Sequence, residues 1–334
     1  MAVLDGLDLE AITAQGGAAA EAVALLGLVA GQDVEPAEGS DGTDGRWRIA
    51  RKVAPDRVIS TVDPDARHAR KTRSRRQDGF KAHIVVEPDT GLTTACEVTK
   101  AAGDGTSDAA VGIRLLDADT TIAHPGTDTV VSADGPGTQA VGDDADAALA
   151  QQVQVLGDSA YASGDMLAHA QAKGWQPVLK PLPLHPAVAG GFTIDDFTCD
   201  EQAGTLTCPA GVTRTLSKGR TATFGAVCAH CPLRDRCTAA AKGRTVKVHP
   251  HDQLHRAHRQ RATDPGFQAD YRQHRPMVER SIAWLTRKNR RVPYRGVTKN
   301  NAWIHHRVAA LNLRRLLTLG LTRQDNTWTL AATA

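Results

Sequence analysis

The sequence predicts an α/β fold in which a mixed β-sheet is flanked by helices. Two β-rich runs, residues 80–88 and 92–101, are joined by a short turn containing glycine, which is typical of an antiparallel hairpin. A strand, a helix and a second strand follow over residues 153–180, and two strands in that order can be parallel. Long helical patterns then occupy residues 251–323.

The segments before the hairpin are more varied. Residues 1–31 are rich in alanine and predict helix, and residues 31–45 have the acidic, glycine-rich composition of a flexible linker. The run RVIST, residues 57–61, has the β-branched character of a strand. A basic loop then leads into the hairpin.

The elements after the hairpin carry helix-capping signals. Residues 107–118 begin with a serine and an aspartate that can cap a helix, and Ser163 can cap a second helix that Gly174 stops. The runs VQVLG and QPVLK on either side of that second helix predict two short strands.

Composition and charge restrict the class of function. No apolar run is long enough to cross a bilayer and the first residues lack the pattern of a signal peptide, so we expect a cytoplasmic protein without membrane contacts. Residues 271–323 contain thirteen arginines and lysines and a single acid, Glu279. Such a segment is either a solvated basic helix or a surface for a polyanion such as nucleic acid.

Five of the six cysteines lie within residues 199–237. Cys228 and Cys231 form a CxxC pair, and Cys208 and Cys237 flank it. Because disulfides are rare in the cytoplasm, clustered thiols there favour a metal, and four cysteines suit tetrahedral zinc. The spacing predicts a structural zinc site at Cys208, Cys228, Cys231 and Cys237; Cys199 and His230 are substitutes, and reduced, unliganded thiols are the alternative.

Two carboxylates have positions that chemistry could use. Asp158 follows the predicted strand at residues 153–157, where α/β proteins place their sites, although a plain turn residue is the simpler explanation. Glu279 lies on a helix among cations, where it could pair with Arg275 or Arg280. An isolated carboxylate beside phosphate-binding cations also suits a magnesium ligand.

Four histidines, His249, His251, His255 and His258, lie close together in the sequence. His251 and His255 are four residues apart and could share a helix face. These histidines lack acidic partners between them that would complete a set of metal ligands. We therefore favour surface or DNA-facing histidines over a second metal site.

Several of these motifs together resemble a known family. GFKAHIVVEPDTGL, LGDSAYASGD, the cysteine cluster and YRQHRPMVERSIAWLTRK resemble bacterial insertion-sequence DDE transposases, over roughly residues 46–320. The resemblance implies a ribonuclease-H-like fold, a small zinc-ribbon-like cysteine-rich insertion and a helical C-terminal segment. The Asp-x-x-Tyr and Arg-x-x-x-Glu motifs are its most specific parts.

The resemblance implies roles for individual residues. Asp158 would be the second catalytic acid and Glu279 the third, and both would bind Mg²⁺ or Mn²⁺. Arg275 would contact a terminal phosphate; Tyr271 and Lys288 are displaced from the positions of the family's signature. The residues expected to bind DNA are Arg275, Arg280, Arg287, Lys288, Arg290 and Arg291.

The first catalytic acid has no good match. Asp63, after the strand-like run RVIST, is the best candidate, Asp65 is next and Asp108 is weaker. The family pattern has a longer N-terminal region, so we expect this chain to be an N-terminally truncated member.

The resulting hypothesis is a transposase that cleaves insertion-sequence ends and transfers the strands, acting on double-stranded end and target DNA and possibly as a homodimer. The alternatives are a non-catalytic DNA-binding zinc protein that remains from a truncated transposase, and a ribonuclease-H-like nuclease. The predicted segments are residues 1–45 (helical remnant and linker), 46–182 (first part of the core), 183–250 (cysteine-rich insertion), 251–323 (C-terminal helical part of the core) and 324–334 (tail).

Overall fold

The computed structural model describes residues 6, 8–54, 56–70, 76–122, 153–286 and 291–330. Within these ranges it is a mixed α/β structure with several small sheets. The chain divides into two compact units: unit 1 comprises Met1–Glu87, Leu92–Ser107 and Ser281–Ala334, and unit 2 comprises Pro88–Gly91 and Asp108–Arg280. No helix in the described ranges is long and apolar enough to cross a membrane.

Unit 1 is built around an antiparallel sheet and one long helix. Its helices and strands are α1 (Leu9–Gln15), α2 (Gly17–Gly31), β1 (Val34–Pro36), β2 (Trp47–Ile49), β3 (Arg67–Arg70), β4 (Arg76–Val86), β5 (Thr93–Lys100), α8 (Val297–Thr318), β13 (Leu321–Gln324) and β14 (Thr327–Leu330). Strands β3, β4 and β5 pair in that order, and β4 and β5 are the predicted hairpin. The prediction of helix at the N-terminus is also met.

The core of unit 1 lies between β5 and α8. Cys96 and Val98 of β5 pack with Ile304 and Val308 of α8. Two asparagines of α8 also bind the strand: Asn301 accepts from the Val98 N–H at 2.9 Å, and Asn312 bonds both the N–H and the C=O of Thr93. Amide side chains thus use β5 backbone groups that a neighbouring strand would otherwise bind.

Two predictions for unit 1 are wrong. The run at residues 57–61 is not a strand. Val58, which lies within it, exchanges two hydrogen bonds with the side chain of Gln32. The predicted linker contains β1, which pairs with β2 in antiparallel register. In the first case a side chain, and in the second a neighbouring strand, supplies hydrogen bonds that override the local preference of the sequence.

Unit 2 contains the parallel strands that the sequence predicts. Its elements are α3 (Asp108–Ala118), β6 (Gln154–Gly157), α4 (Gly164–Ala172), β7 (Gln176–Leu179), β8 (Thr198–Asp200), β9 (Thr205–Thr207), β10 (Thr213–Thr215), β11 (Thr221–Thr223), α5 (Arg234–Cys237), β12 (Thr245–Lys247), α6 (Asp252–Arg261) and α7, which spans Pro265–Thr286 and extends past the unit's boundary. Strands β6 and β7 pair in parallel. Ser163 caps α4 by accepting from the Met166 N–H, and Gly174 follows with positive φ, both as predicted.

The cysteine-rich insertion has a core of its own in unit 2. Strands β8–β10 form one small antiparallel sheet and β11 and β12 form another. Their shared core contains the largest buried side chains of this region, Phe197, Leu206, Phe224 and Val248, together with Cys228 and Cys237. Arg256 and Arg259 of α6 bind Asp195, so ion pairs tie α6 to the start of the insertion.

Helix α7 contains a proline in its interior. Pro276 has no N–H, so the helical bond to the carbonyl oxygen of Arg272 cannot form. Val278, Ile282 and Leu285 are spaced as one apolar stripe along α7, but only part of it is covered: Leu285 is buried, whereas Ile282 is 46% exposed. The described strands pair into several small sheets of two or three strands each, so a single ribonuclease-H-like sheet stays a prediction.

Candidate active site

Asp158 lies at the carboxyl end of β6, directly after a strand paired in parallel with β7. Its side-chain Oδ1 accepts from the Ala160 N–H at 3.0 Å, and its carbonyl oxygen accepts from the Tyr161 N–H at 3.1 Å. These bonds fold residues 158–161 into a tight turn. The carboxylate is therefore held at the strand end, where open α/β sheets bind ligands.

The ring of Tyr161 packs where two glycines leave room for it. A Cβ placed on Gly112 of α3 would lie 2.9 Å from Tyr161 Cδ1, and one on Gly157 would lie 3.3 Å from Tyr161 Cβ. The pKa of Tyr161 is raised to about 12, with burial as the main cause; the charges of Asp108 and Asp158 also raise the pKa, and that of Arg275 lowers it. Tyr161 is the tyrosine of the Asp-x-x-Tyr motif, and nothing in the sequence indicates its contact with the distant Gly112.

Arg275 of α7 contacts both predicted acids. Its Nε donates to Glu279 Oε1 at 3.1 Å, and its Nη2 lies 3.8 Å from Asp158 Oδ2. The Arg275 side chain is 28% exposed, whereas Asp158 and Glu279 are 45% and 63% exposed. One guanidinium thus brings together two carboxylates from distant parts of the sequence, and both remain open to solvent.

Tyr271 completes one face of α7 at this position. Positions 271, 275 and 279 are successive i, i+4 neighbours. The guanidinium of Arg275 lies 6.0 Å from the centre of the Tyr271 ring. Burial is the main cause that raises the pKa of Tyr271; Arg275 opposes the shift, and the Asp158 and Glu279 charges add to it. We call Asp158, Tyr271, Arg275 and Glu279 the Arg275 cluster.

Two of the other predicted DNA-binding residues lie within the described part of the chain, and both are exposed. Arg280 is exposed on α7, one residue after Glu279, and Arg291 is exposed on the segment that precedes α8. Arg287, Lys288 and Arg290 lie outside the described residues.

Asp63 and Asp65 bind the start of α8 in unit 1. Asp63 Oδ1 accepts from the Gly296 N–H at 3.2 Å, and Asp65 Oδ2 accepts from the Val297 N–H at 3.0 Å. Lys100 Nζ lies 3.3 Å from Asp65. Carboxylates satisfy free N–H groups and the dipole at a helix N-terminus, so both side chains have a capping role. The catalytic assignment of Asp63 stays a prediction.

The four predicted zinc ligands line one small cavity of about 30 Å³. Apolar side chains form much of the remaining wall, among them Phe192 and Phe224. The Arg244 N–H donates to Cys228 Sγ at 3.5 Å. Burial is the main cause that raises the pKa of Cys237; Arg244 opposes it, and Cys208, Cys228 and Cys231 add to it, which places all four thiols within electrostatic reach.

The predicted substitutes lie elsewhere. Cys199 donates to Glu201 at 3.5 Å, and His230 is exposed; neither lines the cavity. Across the described ranges, no three His, Cys, Asp or Glu side chains are arranged so that they could hold a metal ion. The four thiols are suitable ligands for zinc, and the two acids of the Arg275 cluster are suitable ligands for magnesium. Neither set has the arrangement of a bound metal ion in this structure.

The histidines separate into two environments. The rings of His249 and His255 lie 4.9 Å apart, and burial followed by the charge of His249 lowers the pKa of His255. His258 is 5% exposed and bonds the Leu179 carbonyl oxygen through Nε2 at 2.8 Å. The prediction of a surface histidine is therefore wrong for His258, since a backbone acceptor inside unit 2 satisfies its ring.

Comparison with known proteins finds one family match within the chain. Residues 207–317, about a third of the chain, match the family model described as transposase DDE domain. The matched segment contains Arg275, Glu279 and the four cavity cysteines, and it begins after Asp158. No curated protein and no solved structure matches the chain. The family match confirms the resemblance that the motifs indicate.

Proposed function

We propose that this chain, whose residues 207–317 match the transposase DDE domain family, cleaves and transfers DNA strands at the ends of an insertion sequence. The single observation that supports this most is the Arg275 cluster. It joins a strand-end aspartate to the glutamate and arginine that lie within the matched segment.

Asp158 and Glu279 have the chemistry that magnesium requires. Both offer solvent-accessible carboxylate oxygens, which Mg²⁺ and Mn²⁺ prefer, and both lie against the same guanidinium. When bound, such a cation would supply an activated water and charge stabilisation at a phosphodiester. The family implies this cofactor, and the donor set fits it.

The cations around the carboxylates would hold the DNA. Arg275 presents planar N–H donors suited to a phosphate, and Tyr271 supports the guanidinium from one side. Arg280 and the other basic residues of the segment 272–299 would contact neighbouring phosphates. Binding through phosphates releases counterions, so affinity for double-stranded DNA should fall steeply as salt rises.

The proposed chemistry has two steps. Water attacks the phosphodiester at the transposon end; the P–O3′ bond breaks and the oxygen leaves as a free 3′-hydroxyl. That hydroxyl then attacks a phosphodiester of target DNA, forms a new P–O bond and displaces the target's own 3′-oxygen. Because two ends must be held together, we expect a homodimer on DNA.

We further propose that Cys208, Cys228, Cys231 and Cys237 hold a structural zinc ion. The observation that supports this is the shared cavity, since four thiols of one small region converge there with no carboxylate lining it. A bound zinc would stabilise the thiolate form of Cys237, which burial disfavours. Its role would be to fix the insertion, and it would take no part in the DNA chemistry.

Strand transfer in vitro tests the proposed function. The purified chain is incubated with Mg²⁺ or Mn²⁺, a labelled DNA end from the sequence that flanks its gene, and a target plasmid. We expect joined products, and we expect Asp158→Ala and Glu279→Ala each to abolish them. Asp165→Ala is the matched control, because Asp165 is 83% exposed on α4 outside the Arg275 cluster.

The alternatives predict different products. Cleavage without joining would indicate a ribonuclease-H-like nuclease, and binding without either would indicate a non-catalytic DNA-binding zinc protein. Joining that survives both Asp158→Ala and Glu279→Ala would overturn the assignment of the site.

A further inference from the structure

The single positive charge of Arg275 lies against both acids. Its Nε donates to Glu279 and its Nη2 approaches Asp158, at 3.1 and 3.8 Å. Both contacts lie within unit 2. Each contact occupies a carboxylate oxygen that a divalent cation would bind. Each also occupies an N–H group of Arg275 that would otherwise be free to donate to a phosphate.

We propose that Arg275 is an internal counter-ion of the Asp158–Glu279 pair, and that a DNA phosphate must draw it away before the pair binds a divalent cation at full affinity. The inference rests on the proposed function, because it takes these acids as the metal ligands. It adds that loading of the cation is regulated by the substrate itself.

Competition at one site creates cooperation between two ligands. A cation that binds the carboxylates displaces Arg275 and frees its donors for phosphate, while a phosphate that binds Arg275 frees the carboxylates for the cation. Each ligand therefore raises the affinity for the other by the same factor. Because ion pairs this exposed are weak, we expect that factor to be about threefold to tenfold.

Arginine is suited to this exchange. Its planar fork forms two parallel bonds with a phosphate, which is a better arrangement than one bond to Glu279 and a longer ion-pair contact with Asp158. The Tyr271 ring lies on the same helix and would keep its position when the guanidinium turns. Arg275 would thus give up its two carboxylate contacts for a phosphate contact, and the exchange would cost little conformational entropy.

The first measurement is Mn²⁺ binding to the full chain without DNA, followed by the electron paramagnetic resonance signal of the free ion. We expect Arg275→Gln to bind Mn²⁺ about threefold to tenfold more tightly than the wild type. Arg275→Lys, which keeps the charge but cannot contact both acids as a planar fork, should be intermediate. Arg272→Gln is the control, since Arg272 is an exposed cation of the same helix that bonds the Gln268 carbonyl oxygen.

The second measurement is DNA affinity, taken from the fluorescence anisotropy of a labelled duplex, with and without Ca²⁺ at constant ionic strength. Ca²⁺ should tighten DNA binding of the wild type and of Arg272→Gln by the same coupling factor, each relative to its own affinity without Ca²⁺, because loss of a phosphate contact at Arg272 lowers both affinities alike. It should leave Arg275→Gln nearly unchanged. This arm needs no catalysis.

The outcomes separate the two proposals. If Mn²⁺ binding depends on Asp158 and Glu279, but Arg275→Gln alters neither Mn²⁺ affinity nor the effect of Ca²⁺, the counter-ion inference is overturned and the proposed function stands. An equal gain in Mn²⁺ affinity in Arg272→Gln would also overturn the inference, because charge removal alone would then explain it. Mn²⁺ binding independent of both acids overturns both.

Discussion

The side chain of Tyr161 occupies the space that a methyl group on Gly112 would need. A Cβ at Gly112 would lie 2.9 Å from Cδ1 and 3.0 Å from Cε1 of the ring. The glycine of one helix thus fixes where the turn after β6 can lie. That turn carries Asp158, so a residue with no functional group of its own controls the position of a proposed metal ligand.

Gly112→Ala should therefore destabilise the protein, although alanine favours a helix over glycine by about 1 kcal/mol. The clash with a buried ring costs roughly 1–3 kcal/mol. We expect the free energy of unfolding, measured by urea denaturation, to fall by up to about 2 kcal/mol. Gly27→Ala on α2 is the control: nothing lies within 4 Å of its Cβ, so it should stabilise slightly. A stabilised Gly112→Ala would refute the packing argument.

Protonation of His258 should make stability depend on pH. Burial lowers the pKa of His258 below its usual 6.5. The unfolded chain therefore takes up the proton first, and stability is present above pH 6.5 and lost as the pH falls towards the folded-state pKa. We expect the free energy of unfolding, measured by urea denaturation, to fall between pH 7.5 and 5.5, by up to about 1.4 kcal/mol per pH unit.

Two variants test that assignment. His258→Gln retains an N–H that can donate to the Leu179 carbonyl oxygen, and it should lose most of the dependence due to this ring. His230→Gln, which alters an exposed histidine, should keep the wild-type dependence. Identical pH profiles for both variants would show that His258 is not responsible.

Metal analysis should find one zinc ion per chain, and a strong chelator should unfold the insertion. Replacing any cavity cysteine by serine, for example Cys228→Ser or Cys231→Ser, should release the ion. Cys199→Ser should retain it, because Cys199 binds Glu201 outside the cavity. Elemental analysis and circular dichroism measure both effects. Zinc retained in Cys228→Ser but lost in Cys199→Ser would reverse the ligand assignment.

Loss of a carboxylate at the start of α8 should cost stability. Asp65→Ala removes the acceptor of the Val297 N–H and the partner of Lys100, so we expect a loss of about 0.5–2 kcal/mol in the free energy of unfolding. Asp65→Asn keeps an oxygen acceptor and should cost less. Thermal denaturation of the two variants would distinguish the hydrogen bond from the charge.

The same pair of aspartates tests the prediction of the first catalytic acid. Asp63→Asn keeps an acceptor for the Gly296 N–H but cannot replace a carboxylate as a metal ligand. If Asp63 is that acid, Asp63→Asn will abolish strand cleavage while Asp65→Asn retains it. If Asp63→Asn cleaves DNA as well as Asp65→Asn does, Asp63 is not the catalytic acid and has only its capping role.

Local signals in the sequence predicted local structure well. The hairpin, the β6–α4–β7 order and the cap at Ser163 each depend on residues close together in the chain. What the sequence could not supply depends on distant partners. Nothing near residues 57–61 indicates that Gln32 will take the backbone bonds of Val58, and nothing near His258 indicates the carbonyl oxygen of Leu179.

The candidate site follows the same division. Residue type and motif spacing singled out Asp158, Arg275 and Glu279, and the bond between Arg275 and Glu279 is the i, i+4 pair that a helix dictates. The approach of Arg275 to Asp158 and the packing of Tyr161 on Gly112 depend on tertiary contacts. No periodicity in the sequence encodes such contacts.

Pro276 gives α7 a mechanical property. The carbonyl oxygen of Arg272 has no helical donor, so the turn before Arg275 and the turn that carries Glu279 are joined by one bond fewer than in a regular helix. Bending is therefore least costly inside the span between Tyr271 and Glu279. Strain imposed by a curved DNA backbone would concentrate there, and it would alter the separation of Glu279 from Tyr271 before it altered any other part of the helix.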